Sequence, residues 1–75
     1  MTRYGYFMDK QMMKEIGLSL WQMRQDKHLY LHQVARLTNL PIRTIDGLEV
    51  DKFFKYQAVR TLLEFYGKKF RIVFE

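Results

Sequence analysis

The chain has 75 residues, 48% of them hydrophobic and 16% aromatic, enough for one domain near the lower size limit of a self-sufficient core. It contains no cysteine, which excludes a disulfide framework and a thiolate metal site and fits a reducing cytoplasm. No apolar run approaches membrane-spanning length, no signal-peptide core is visible, and the formal charge of +5 favours an anionic partner.

Residues 2–8 are rich in aromatics and too short for a stable helix, so they read as a strand over about 3–7 or as an ordered arm. Asp9 suits the N-cap of a first helix over about 10–27, with Met13, Ile16, Leu20 and Met23 as its buried stripe. Gly17 inside that helix costs about 1 kcal/mol against alanine. Such a cost implies that another backbone approaches closely there. A second helix is expected over 31–38. Its N-cap position holds Tyr30, whose phenol cannot reach back as a hydroxymethyl does, while Gln33 keeps half of a capping box.

Asn39 tolerates the left-handed backbone that a tight turn requires. A third helix follows over about 41–50, with Pro41 suited to its first turn and Ile45 and Leu48 on one face. Asp46-Gly47 is also a type I′ hairpin signature. Residues 42–45 do not alternate as a strand would, so the helix is preferred. A fourth helix over about 53–66 buries Tyr56, Val59, Leu62 or Leu63, and Tyr66, and ends at Gly67. Beyond Gly67 the period changes to two, with Phe70, Ile72 and Phe74 on one side and Lys69, Arg71, Val73 and Glu75 on the other. A lone exposed strand over about 69–74 must pair with residues 3–7, with its counterpart in another subunit, or with both.

No nucleophile–His–acid set, Gly-rich phosphate loop or metal-ligand spacing is present, so no enzymatic activity, cofactor or metal is expected. His28 and His32 are four apart but flank a helix boundary, which suits solvent-facing residues better than ligands.

Two short helices about a tight turn are the helix-turn-helix plan, whose second helix is a candidate major-groove reader. Residues 34–49 carry that plan. Together with Ile16-Gly17, Leu20, Met23-Arg24, Lys27, Leu29, Leu62-Leu63 and Tyr66-Gly67, they resemble the Cro/C1-type (XRE-like) repressor family over roughly residues 14–67. The resemblance implies a mainly α, four-helix lambda-repressor-like domain with a small β element from the terminal segments. Many members have a fifth helix where this chain alternates, and a terminal strand is similar to the HipB-type antitoxin branch. His28 stands where that family usually has a helix-ending glycine.

The function so implied is a sequence-specific transcriptional repressor, homodimeric, located in the cytoplasm at the nucleoid and binding double-stranded DNA. The alternatives are the antitoxin of a toxin–antitoxin pair, with a toxin as partner, and a protein-interaction module that no longer binds DNA. For base contact, Arg43 can grip guanine O6 and N7 with two hydrogen bonds, Ile42 can touch a thymine methyl, and Asp46 can accept from cytosine N4, while Thr44 offers a hydroxyl to a base or a phosphate or simply fills the helix surface. Gln33, Arg36, Lys52 and Lys55 are candidate phosphate contacts, with Lys68, Lys69 and Arg71 extending the basic surface. Leu31, Ile42 and Gly47 stand where the family often has polar side chains, and the Asp46 carboxylate repels phosphate, which together keep the interaction-module alternative open. The resemblance also implies an internal ion pair between Arg24 and Glu49. Trp21, Phe53, Phe54, Phe65 and Tyr66 read as core or dimer surface.

Overall fold

The computed structural model describes residues 10–68, and these form four helices: α1 (Lys10–Asp26), α2 (Leu31–Thr38), α3 (Ile42–Glu49) and α4 (Tyr56–Phe65). The expected terminal strands, with Asp9, Phe70, Ile72 and Phe74, lie outside the described residues.

Leu20 of α1, Val34 of α2, Ile45 of α3, and Val59 and Leu62 of α4 are fully buried, so every helix contributes to a single core. Leu48, Ala58, Leu63 and Tyr66 complete it. Burying each aliphatic side chain contributes about 1.5–3 kcal/mol. The expected stripe of α1 is narrower than its sequence period suggested. Met13, Ile16 and Met23 are only half-buried, while Gly17, Leu20 and Arg24 are the buried positions.

Gly17 explains that rotation. A Cβ built there would lie 2.6 Å from the Leu48 carbonyl oxygen and 2.9 Å from that of Glu49. The backbones of α1 and α3 therefore cross at this point, and a glycine is what permits it.

Three turns set the other angles. His28, at φ 57, reverses the chain after α1, and its amide donates to the Gln25 carbonyl at 2.9 Å. A non-glycine residue fills this left-handed position. Asn39, at φ 66 and ψ 20, closes α2 with its amide 2.8 Å from the Ala35 carbonyl. Thr38 Oγ1 donates to the Val34 carbonyl at 2.7 Å, which tightens the same end. Asp51, at φ 52, turns the chain out of α3.

α3 is helical throughout Asp46-Gly47, so the hairpin signature is overridden. It starts one residue later than expected. Pro41 is the N-cap, with ψ 141, and its carbonyl accepts from the amides of Thr44 at 3.0 Å and Ile45 at 3.3 Å.

α4 is shorter than its apolar pattern implied. Phe53, Phe54 and Lys55 form an extended approach to it, because the Phe53 ring seats on Gly47 instead of continuing a helical face. Tyr56, expected in the core, is 39% exposed in the first turn of α4. Ala58 takes an inward position outside the expected stripe.

Candidate nucleic-acid interface

α3 has two unlike sides. Ile45, Leu48 and Glu49 point into the molecule, whereas Ile42, Arg43 and Asp46 are exposed and Val50 follows them at the helix end. The helix that the sequence singled out is thus accessible along one face, with its first turn presenting an apolar and a cationic side chain together.

Thr44 does not belong to that face. It is 8% exposed, because one residue step turns the side chain by about 100° toward the core. It contributes to the lining of the neighbouring cleft. Gly47 is also buried, and its bareness has an internal cause. A Cβ there would meet Cε2 and Cζ of Phe53, each at 2.5 Å. It is a seat for an aromatic ring and not a missing polar contact on the outer face.

The cleft beside α3 has a volume of about 320 Å³ and is lined by Arg43, Thr44, Asp46, Gly47, Lys52, Phe53 and Lys55. Arg43, Lys52 and Lys55 are three of the sequence-nominated cations, and the fold gathers them around one depression although they span thirteen positions of chain. The Lys52 amide donates to the Gly47 carbonyl at 2.9 Å, tying the loop back against α3. The Lys55 ammonium lies 5.5 Å from the centroid of the Phe53 ring, within cation–π range. The sequence groups Phe53 with the core or dimer-surface aromatics. Its relation to Lys55 depends on the extended backbone of 53–55, which helical periodicity concealed.

Arg36 is exposed in the last turn of α2. Gln33 is half-buried, and its Oε1 accepts from the Tyr30 amide at 2.7 Å. That bond caps α2 and leaves only the amide NH₂ of Gln33 to face a phosphate. The Tyr30 ring stacks on His32, with centroids 5.7 Å apart and planes 12° apart. His28 sits in the preceding turn, and no group of three His, Asp or Glu suited to a metal occurs among the described residues. Lys68 is exposed, while Lys69 and Arg71 lie outside the described residues.

Behind α3, the structure brings Arg24 and Glu49 together. Nε of Arg24 donates to Glu49 Oε2 and Nη2 to Oε1, both at 2.8 Å, and Nη1 donates to the Leu29 carbonyl at 2.9 Å. One guanidinium therefore ties α1 to the end of α3 and to the link before α2. Its pKa is raised by the hydrogen bonds to Glu49, which outweigh the opposing effect of burial. Tyr66 packs nearby with its hydroxyl buried and unpartnered. Burial, reinforced by the Glu49 charge and opposed by Arg24, pushes its pKa up to about 12.

A second cavity, of about 340 Å³, opens beside α1 and is lined mainly by Met12, Ile16, Met23 and Leu63. Trp21 and Leu18 of α1 are exposed, whereas Phe53, Phe54 and Phe65 are half-buried and Tyr66 is buried. No helix among the described residues is long and apolar enough to cross a membrane. Comparison with protein families, curated proteins and solved structures finds no match.

Proposed function

We propose that this chain is a Cro/C1-type helix-turn-helix regulator that binds duplex DNA as a homodimer and represses transcription. α2 and α3 would form the helix-turn-helix unit, with α3 laid in the major groove and each subunit reading half of an inverted repeat. The observation that carries this reading is the exposed face of α3, with Arg43 at its front and Lys52 and Lys55 beside it. Arg43 reads a guanine, Ile42 meets a thymine methyl, and Asp46 accepts from a cytosine. Arg36, Lys52, Lys55 and the Gln33 NH₂ hold phosphates. Exposed Met12, Leu18 and Trp21 give a second copy apolar surface to cover.

The exposed surface of α2 and α3 supports a second reading, a protein-interaction module. Ile42 is 46% exposed and Leu37 64% exposed, so the α2–α3 unit presents apolar surface as well as charge. An antitoxin would combine the two, with DNA on α3 and a toxin on another surface.

Binding to random-sequence duplex at several salt concentrations separates the readings. A DNA-binding protein loses affinity steeply with salt, with a logarithmic slope of about −0.9 for each phosphate contacted. Negligible binding at low salt would leave the interaction module standing.

A further inference from the structure

The cleft beside α3 holds one acid among its cations. Asp46 shares it with Arg43, Lys52 and Lys55, so a lysine free to swing would be drawn to that carboxylate. No ion pair joins Asp46 to either lysine among the described residues. The ammonium of Lys55 is instead placed over the face of Phe53, at 5.5 Å from the ring centroid. The ring is itself held, because Gly47 leaves the space beneath it and a side chain there would overlap it. The hydrogen bond that the Lys52 backbone amide donates to the Gly47 carbonyl fixes the intervening loop at the same residue.

We infer that Phe53 is a positioning residue: seated on Gly47, its ring holds the Lys55 ammonium at the mouth of the cleft to receive one phosphodiester group of a DNA duplex. This rests on the duplex-binding reading above. It also assigns the Asp46-Gly47 pair, which looks like a turn in the sequence, a role inside a helix. Gly47 provides the seat, and Asp46 makes the placement of Lys55 matter.

A double-mutant cycle on the full chain tests it, with random duplex as the probe and the salt slope of affinity as the readout. Lys55→Gln should lower the slope by about 0.9, so that affinity falls roughly 3.5-fold less between 50 and 200 mM salt. Phe53→Leu should lower it by the same amount, and the double variant should match either single one. Phe53→Tyr, which keeps the ring, should restore the wild-type slope. Gly47→Ala displaces the ring without altering it, and should reproduce Phe53→Leu. Thermal unfolding of each variant confirms that folded protein is being compared. Additive effects of Phe53→Leu and Lys55→Gln, or an unchanged slope in Phe53→Leu, overturn the positioning role while leaving duplex binding intact. A wild-type chain that ignores duplex at low salt overturns both.

Discussion

The two sides of α3 meet opposite demands. On the inner side, Glu49 has two hydrogen bonds from one guanidinium, and Leu48 and Glu49 press their carbonyl oxygens against Gly17. On the outer side, Ile42 and Arg43 are exposed. The inner side is over-determined, since each group has a partner inside the chain and removing one leaves another unsatisfied. The outer side leaves its donors and its apolar surface to solvent or to a ligand. That contrast teaches where sequence change is costly to the fold and where it is costly only to binding.

The largest effect is expected from Glu49→Gln. It strands the Arg24 charge, at about 3–5 kcal/mol where burial is complete. For a chain of this size that is much of the total stability, so a sharply lowered denaturation midpoint is expected. A midpoint close to wild type would mean that the two sides of α3 are less different than the geometry implies.

Arg43→Ala sharpens the comparison from the other side. Stability should stay within about 0.5 kcal/mol, as for other surface substitutions, while discrimination at one base pair drops by about 1–3 kcal/mol. Thermal unfolding alongside operator titration measures both. A large stability loss would assign Arg43 to the scaffold instead.

The smallest effect at neutral pH is expected at Tyr66, which borders the inner side. Its unpartnered hydroxyl is held protonated in the folded chain, with a pKa of about 12 against 10 for an ordinary phenol. The folded state therefore keeps a proton that the unfolded state releases. The associated stability is complete below pH 10 and is lost as pH rises through about 12. Tyr66→Phe should change little at pH 7 and should reduce the loss above pH 10, read from denaturant midpoints across that range. An unchanged alkaline profile would show that Tyr66 is not the group responsible.

Local chemistry made much of this legible. Gly17 in mid-helix signalled the backbone contact that the structure contains, and Asn39 signalled the left-handed turn. Gln33 signalled half a capping box, and that half is present. Each of these depends on neighbours a few residues away or on a backbone conformation few residue types accept. The Asp46-Gly47 pair pointed to a hairpin, yet the lack of alternation over 42–45 favoured the helix that the structure contains. Thr44 and Tyr56 were assigned to the wrong environments because short helices allow more than one rotation, and only the packed neighbours select among them.

By itself, the sequence determined the helical class, the order of the helices within a few residues at each end, and the set of cations available to a ligand. Periodicity, turn residues and charge are all carried by short stretches of chain. The tertiary structure decided which side of α3 faces outward, that Gly47 serves a ring and not a turn, and that Arg43, Lys52 and Lys55 share one cleft. Those outcomes depend on contacts between segments remote in sequence, where the close fit of a backbone or an aromatic ring outweighs any local preference.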